Sequence, residues 1–172
     1  MSGILNLGCG PKRIEGAVNV DISADVGADL VHDLRRTPWP LPSDAFDEVH
    51  AYDVIEHLAD AIAAMEEIHR VCKPGARVHI TVPHFSSANA FTDLTHQHQF
   101  SRFSFDYFRS EHTLAFYSRA RFEPRRAQIV FYPTLMNKIV HRLANRYSAA
   151  YERRWAWIFP AWFLSFELEA VK

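Results

Sequence analysis

The chain has 172 residues, of which 48% are hydrophobic and 23% charged, a composition that excludes wholesale disorder and fits a single domain. Its formal net charge is −1, but residues 1–101 carry 7 Lys and Arg against 14 Asp and Glu, whereas residues 102–154 carry 11 against 4. All six glycines lie in the first 75 residues. Because glycines concentrate where the backbone turns sharply or approaches a ligand, we predict a ligand-binding front half and a basic, aromatic back half.

The sequence carries no mark of a secreted or membrane-spanning protein. Its two cysteines, Cys9 and Cys72, lack the spacing of zinc-ligand pairs and are too few for a disulfide scaffold. No signal peptide precedes the first predicted strand. The longest apolar run, residues 155–164, is ten residues long, whereas a membrane span needs about 20. We therefore expect a cytoplasmic protein.

Short apolar runs separated by turn residues organise the front half. They predict five strands, at residues 4–7, 17–22, 29–34, 46–52 and 77–82. Before the fifth strand, apolar residues recur at spacings of three and four and predict a helix over 59–72. Only six residues separate Gly10 from Ala17, too few for a crossover helix with its loops. The first crossover helix is therefore predicted to be abbreviated, and one face of the sheet thinly covered.

The back half has weaker patterns. It is predicted as a polar, histidine-rich loop at 84–101, a helix at 103–120, a strand within 122–132, a basic helix at 135–154 and a closing strand at 164–171. Strands joined by crossovers, with a helix between the fourth and fifth, indicate an α/β fold of the doubly wound type.

A glycine-rich turn ends the first predicted strand. Residues 5–10 read Leu-Asn-Leu-Gly-Cys-Gly, and Asp21 closes the next predicted strand. Such a turn frees backbone N–H groups for an anionic part of a ligand, and an acidic residue at the end of the second strand accepts hydrogen bonds from ribose hydroxyls. The alternative is a tight structural turn followed by a surface aspartate.

Four further stretches follow this turn in order. They are 19–22 (Asn-Val-Asp-Ile), 39–49 (Trp-Pro-Leu-Pro-Ser-Asp-Ala-Phe-Asp-Glu-Val), 53–58 (Asp-Val-Ile-Glu-His-Leu) and 68–76 (Ile-His-Arg-Val-Cys-Lys-Pro-Gly-Ala). Together the five motifs resemble the class I S-adenosylmethionine-dependent methyltransferases, especially the small bacterial type 11 group. The resemblance implies a Rossmann-like, doubly wound sheet of seven strands, mostly parallel with an antiparallel last strand. It implies one domain, 1–172, with a cofactor-binding half (1–83) and an acceptor and cap half (84–172).

The same resemblance implies how S-adenosylmethionine is bound. The first motif would cradle the methionine moiety, the acidic motif would hold the ribose and adenine, and the residues after the fourth strand would lie below the sulfonium. The predicted cofactor-binding residues are Leu7, Gly8, Cys9, Gly10, Asp21, Ile22, Asp33, Leu34, Tyr52 and Asp53. One departure is that position 13 is Arg and not a third glycine. Lys12 or Arg13 is a candidate partner for the cofactor carboxylate, unless both are solvated turn residues.

Histidines supply the candidates for catalysis. Transfer from a sulfonium depends mainly on alignment, and a base is needed only when the acceptor is a hydroxyl or a protonated amine. The predicted catalytic residues are His96, His84 and His57; His96 ends an Asp-x-x-His stretch similar to one in small family members. The alternative is that they are polar loop residues. His96 and His98 with His84 or Asp93 also form a metal-ligand pattern, but we assign no metal site.

The basic segment 102–154 is the expected place for acceptor choice. Its arginines and aromatic residues suit an anionic acceptor such as a lipid-linked sugar, an anionic membrane surface, nucleic acid or a homodimer contact. The pI of 6.8 makes nucleic acid an unfavourable choice.

We predict methyl transfer to an oxygen or nitrogen of a small-molecule or cell-envelope-type acceptor. The alternatives are a non-catalytic S-adenosylmethionine- or nucleotide-binding module of the same fold and a dinucleotide oxidoreductase. Asp21 follows the glycines too closely for the latter.

Overall fold

Seven strands form one sheet in the order β3-β2-β1-β4-β5-β7-β6. The computed structural model describes residues 3–172, apart from the side chain of Met136. The strands are β1 Ile4–Leu7, β2 Val18–Asp21, β3 Leu30–Val31, β4 Phe46–Tyr52, β5 Cys72–Pro83, β6 Phe122–Val130 and β7 Phe163–Ala170. The helices are α1 Ala61–Val71, α2 Asn89–Thr92, α3 Leu135–Arg146 and α4 Ser148–Arg154. Only β7 runs antiparallel to its neighbours, which confirms the predicted fold class.

The front half follows the predicted elements closely. β1 and β4 have the predicted bounds, whereas β2 and β3 are shorter than predicted. Helix α1 begins after Asp60, whose carboxylate accepts a hydrogen bond from the Ala63 N–H at 2.8 Å, and such a cap satisfies one of the free N–H groups of the first turn. β5 begins at Cys72, directly after α1 and five residues before the predicted start.

An asparagine pair takes the place of the first crossover helix. The chain between β1 and β2 contains no helix, as predicted. Asn6 and Asn19 lie opposite each other on these two strands and are buried. Their side chains are joined at 2.9 Å, and the Asn19 side chain also accepts from the Ile14 N–H and donates to the Ile14 carbonyl. The short loop is therefore held by side-chain amides, which satisfy backbone groups that a helix would have paired internally.

One face of the sheet carries the core and the other is partly open. Along β4, Val49 and Ala51 are fully buried, while the alternate residues face a surface without a helical layer, because the segments joining β1 to β4 contain no α-helix. On that surface His50 and His79 stack with ring centroids 5.0 Å apart. Glu48 lies 3.1 and 3.2 Å from their Nε2 atoms. Central parallel strands are usually apolar on both faces, so this alternation confirms the predicted thin cover.

A buried ion pair fastens the proline-rich segment after β3 to α1. The Glu67 carboxylate accepts from the Trp39 N–H at 2.6 Å and from two nitrogens of Arg70 at 2.7 and 2.8 Å. The Arg70 guanidinium also donates to the carbonyls of Trp39 and Leu41. Trp39 itself is buried in the core, so these bonds fix where the segment crosses the helix.

The prediction of a helix over 103–120 was wrong. The segment forms two short 3-10 turns, Ser104–Phe108 and Ala115–Tyr117. The Arg121 guanidinium donates to three carbonyls of this segment, and the hydroxyl of Ser118 donates to Glu66 at 2.8 Å. Side chains that take up backbone groups in this way compete with a continuous helix.

The predicted helix 135–154 is two helices, α3 and α4, which meet at Tyr147. Tyr147 has φ −128° and ψ 48°, outside the helical region. Just before it, the Asn145 side chain exchanges two hydrogen bonds with the backbone of Ile129, at 2.8 and 2.9 Å. This pairing ties α3 to the edge strand β6. No helix among the described residues is long and apolar enough to cross a membrane.

We expect Glu67→Ala to lower the free energy of unfolding by about 2–4 kcal/mol, because it leaves the Arg70 charge and the Trp39 N–H without their buried partner. Urea denaturation measures the change. The exposed Glu15, changed to Ala, is the control and should alter stability by less than about 0.5 kcal/mol. Equal stabilities of the two variants would contradict this role for the ion pair.

Candidate functional site

A cavity opens at the edge of the sheet where β1, β2 and β4 end. Because these strands are parallel, the residues that follow them meet at one edge. The cavity has a volume of about 650 Å³, within the range of small-molecule sites. It is lined by Gly8, Asp21, Ile22, His32, Asp33, Leu34, Arg35, Asp53, Val54, His57, Leu58, Leu94, Thr95 and Gln97.

Gly8 is required by the turn after β1. Its φ is +59°, and a Cβ at this position would lie 2.5 Å from Cγ2 of Val54. Any other residue would therefore combine backbone strain with a clash. The absence of a side chain brings the backbone of the first motif to the cavity wall.

The carboxylate of Asp21 holds the two sides of the cavity rim together. One oxygen accepts from the Gly10 N–H at 2.8 Å and the other from the Ser23 N–H at 2.9 Å. Each carboxylate oxygen retains a further lone pair, so Asp21 can still accept from two hydroxyls of a ligand. Gly10 contributes its backbone to the rim but does not line the cavity.

The two apolar residues that the sequence predicts beside adenine, Ile22 and Leu34, line the same cavity. Ile22 is 59% exposed, and Leu34 is on the loop after β3. Asp33 lies beside Leu34, and a hydrogen bond from Arg35 lowers the pKa of its carboxyl to about 2. Asp33 is therefore ionised and pre-ordered at neutral pH.

Besides Gly10, three of the predicted cofactor residues are not part of the cavity wall. Leu7 and Cys9 are buried in or beside the core. Tyr52 donates its hydroxyl toward His50, with the oxygen 2.8 Å from Nδ1, on the open face of the sheet. Because side chains two residues apart lie on the same face of a strand, Tyr52 shares the open face with His50. The structure does not bring Tyr52 to the predicted position below the sulfonium.

A second cavity, of about 930 Å³, continues from the first. The two share Asp53, His57 and Leu94. Asp53 has φ +53°, a conformation that aspartate adopts more readily than most residues, and its carboxylate accepts from the Thr81 hydroxyl at 2.9 Å. The remaining lining residues are Lys12, Glu56, Thr81, Pro83, Asn89, Thr92, Asp93, His96, Trp162 and Phe163.

The two basic residues of the first crossover have different surroundings. Arg13 forms an ion pair with Asp29 at 2.7 Å, so its guanidinium lies beside the turn before β3. Lys12 lines the second cavity. Neither of the two cations that the sequence offered for the cofactor carboxylate therefore lines the first cavity.

Glu56, His57 and His96 come together in the second cavity. Rings of the two histidines lie 4.6 Å apart, centroid to centroid. Glu56 is 1% exposed, and neither of its carboxylate oxygens has a hydrogen-bond partner. Burial raises the pKa of Glu56 to about 8. Burial and the neighbouring His96 lower the pKa of His57, so its imidazole is neutral at physiological pH.

Three hydrogen bonds hold the loop that carries His96 against the turn after β4. The backbone N–H of Gln97 donates to the Glu56 carbonyl at 2.8 Å, and its side chain donates to the His57 carbonyl at 3.1 Å. The ring of His98 donates to the Leu58 carbonyl at 2.9 Å. His98 is thus a structural residue. Glu56 was not predicted as a site residue. It lies three residues after Asp53 in the same motif, 53–58, and this spacing is the signal that could have identified it.

His84 does not belong to the cavity, and its prediction as a catalytic residue is not supported. The residue is fully buried. Its Nδ1 accepts from the Ser86 N–H at 3.1 Å, and its Nε2 donates to Glu152 at 3.3 Å. With both nitrogens engaged, the ring has no lone pair for an acceptor. The pattern of His96 and His98 with His84 or Asp93 is likewise not assembled as a ligand group among residues 3–172, since His98 donates to the Leu58 carbonyl.

A family model described as "Methyltransferase domain" matches residues 2–123, more than two thirds of the chain. The chain belongs to this methyltransferase family. It is a class I methyltransferase, an enzyme with S-adenosylmethionine as its cofactor. No curated protein matches its sequence significantly.

Solved structures share the fold at low sequence identity. A SAM-dependent methyltransferase from Archaeoglobus fulgidus is 17% identical, with a TM-score of 0.66 over 96% of this chain and 85% of that one. Phosphoethanolamine N-methyltransferase 2 from Haemonchus contortus, in complex with S-adenosyl-L-methionine, is 15% identical, with a TM-score of 0.58 over 98% of this chain and 48% of that one. The [4+2]-cyclase SpnF is 16% identical, with a TM-score of 0.61 over 98% and 75%.

We expect Asp21→Asn to weaken the binding of S-adenosylhomocysteine by about 10–100-fold, because a hydrogen bond to a charged group contributes about 1.5–3 kcal/mol. Isothermal titration calorimetry measures the dissociation constant. Asp25→Asn, in the exposed turn just after the rim, is the matched control and should leave the constant unchanged. An unchanged constant in the Asp21 variant would refute its role as the ribose acceptor.

Proposed function

We propose that this methyltransferase methylates an oxygen or nitrogen atom of an anionic, lipid-linked acceptor of the cell-envelope type, from the cytoplasmic side of a membrane. The first cavity would hold S-adenosylmethionine and the second the acceptor, with Asp53 between them. His57 and His96 would lie beside the reacting atom of the acceptor. The supporting observation is that one wall of the second cavity is aromatic and leads to an exposed apolar surface.

Trp162 and Phe163 form that wall. The Trp162 ring stacks on Tyr132, 4.3 Å between centroids and 13° from parallel, and Tyr132 is itself exposed. An aromatic path therefore runs from the second cavity to the outside. Such a path suits an acceptor with a polar head and an apolar tail, since aromatic rings pack against acyl chains.

The surface beyond this path is apolar and basic. A groove of about 480 Å³ lies between α3 and α4, lined by Val140, Leu143, Ala144, Tyr147, Ala150, Tyr151, Trp155 and Phe159. Leu135, Ile139 and Leu143 form an exposed stripe on α3. Trp157 and Ile158, just after α4, are also exposed. The segment 102–154, which contains α3 and α4, has 11 Lys and Arg against 4 Asp and Glu. Apolar side chains flanked by arginines suit an anionic lipid surface.

Turnover tests the reaction itself. Purified protein is incubated with S-adenosylmethionine and either a free sugar phosphate or its lipid-linked form, and S-adenosylhomocysteine is measured. We expect product to form faster with the lipid-linked acceptor. Equal turnover with the free acceptor would remove the lipid from the proposal, and binding of the cofactor without turnover on either would favour a non-catalytic module.

We expect the double variant Ile139→Ser, Ile158→Ser to bind vesicles of mixed anionic and zwitterionic phospholipid at least about tenfold less tightly, since each isoleucine contributes on the order of 1 kcal/mol when partly buried. Added salt should weaken binding of the parent protein. Vesicle sedimentation measures both effects. Phe116→Ser, an equally exposed apolar residue on another segment, is the control. Loss of a dimer in gel filtration, with vesicle binding unchanged, would show instead that the surface joins two copies of the chain.

A further inference from the structure

We propose that Glu56, His57 and His96 bind one divalent transition-metal cation in the second cavity. One ligating atom from each of the three side chains lies within 4.8 Å of the other two. Ligands at about 2.0–2.2 Å from a shared cation lie roughly 3–4 Å apart, so binding requires only a small closure. Among residues 3–172 this is the one group of three such side chains with that spacing.

Glu56 is the strongest single indication. Both carboxylate oxygens lack a partner although the residue is almost fully buried in the cavity wall. Leaving a buried polar group unpaired costs on the order of several kcal/mol. In a site with two imidazoles, a cation is the partner that would satisfy both oxygens, and the nearby Asp53 and Asp93 add negative charge that favours it.

Hydrogen bonds fix the tautomer of His57. The Thr95 hydroxyl donates to Asp93 at 2.7 Å, so its oxygen accepts from Nδ1 of His57, 2.8 Å away. The proton of His57 is therefore on Nδ1, and its Nε2 carries a free lone pair. A histidine that binds a metal through one ring nitrogen usually donates the N–H of its other ring nitrogen to an oxygen acceptor, as His57 does here.

His96 is in the same tautomer as His57. Its Nδ1 lies 3.4 Å from the carbonyl oxygen of Ala90, which can only accept, so Nδ1 carries the proton and Nε2 is free. The hydrogen bonds from Gln97 to the backbone of Glu56 and His57 keep this loop in place. Two imidazole nitrogens and one carboxylate oxygen suit Zn²⁺, Mn²⁺, Fe²⁺ or Co²⁺ better than Mg²⁺ or Ca²⁺, which prefer oxygen alone.

The role of the cation rests on the proposed function. Three protein ligands leave a coordination position for an oxygen of the acceptor. A coordinated hydroxyl would release its proton to solvent, and a lone pair of the oxygen would form the bond to the methyl carbon. The bond from that carbon to sulfur would break, and its electron pair would stay on the sulfur of S-adenosylhomocysteine. His57 and His96 would then act as ligands, not as bases.

Metal titration tests the site without reference to turnover. Protein treated with a chelator is titrated with Co²⁺, followed by its d–d absorption, and with Zn²⁺ in competition with a chromophoric chelator. We expect one equivalent to bind. Glu56→Gln and His96→Gln should each weaken binding by about 100-fold or more, and Thr95→Val by about tenfold, since outer partners of ligands contribute 10–100-fold.

The controls separate ligand loss from unfolding. His98→Gln removes another imidazole of the same loop, and the glutamine amide can still donate to the Leu58 carbonyl that His98 contacts. This variant should bind the cation as the parent does. Glu56→Gln keeps the size and shape of the side chain, and His96 is on an accessible loop, so thermal melting should show both variants folded. No binding of one equivalent, or equal affinities in the folded Glu56, His96 and His98 variants, would overturn the inference.

Calorimetry with S-adenosylhomocysteine on each variant distinguishes the two proposals. Tight binding of S-adenosylhomocysteine by protein that binds no cation in the titration would overturn the metal site and leave the methyltransferase function intact. Cation binding with no turnover on lipid-linked acceptors would support the site and reject the acceptor class. If Glu56→Gln kept full turnover while binding no cation, the role given to the metal would be wrong.

Discussion

The parallel pairing of β1 with β2 and β4 is the constraint on which the site depends. It places three strand ends at one edge, so that Gly8, Asp21 and Asp53 meet although they are distant in sequence. A single bond from the Gly10 N–H to the Asp21 carboxylate locks two of these ends together. The absence of a Cβ at Gly8 allows the approach to Val54. In another register the three turns would not meet at one edge, and these residues would not line one cavity.

A short crossover changes how this fold is stabilised. In place of a helix after β1, the buried pair Asn6 and Asn19 holds the loop through side-chain amides. The cost is an open sheet face, on which Glu48, His50 and His79 form a polar cluster. Stability is concentrated on the opposite face, where α1 and the aromatic back half enclose the apolar sides of β4, β5 and β7.

The second cavity depends on contacts between segments about 40 residues apart. The turn after β4 supplies Glu56 and His57, and the loop after β5 supplies His96, which the bonds from Gln97 bring into register. The same loop borders both cavities through Leu94. The two cavities therefore share one wall, which is the arrangement that the proposed direct transfer between two bound molecules requires.

The sequence by itself determined the fold class, the strands of the front half and the group of Gly8, Asp21 and Asp33 that lines the first cavity. These features follow from local periodicity and from turn chemistry within short motifs. Tertiary structure decided the rest. The expected helix 103–120 is replaced by short turns, which the Arg121 side chain stabilises locally and the bond from Ser118 to the distant Glu66 anchors. The alternation of β4 places Tyr52 on the open face of the sheet with His50. The assignment of His84 to a buried network, and of Glu56 to a site with His96, depended on loop packing that no local pattern records. Composition showed a basic back half; only the fold showed which of its apolar residues are exposed.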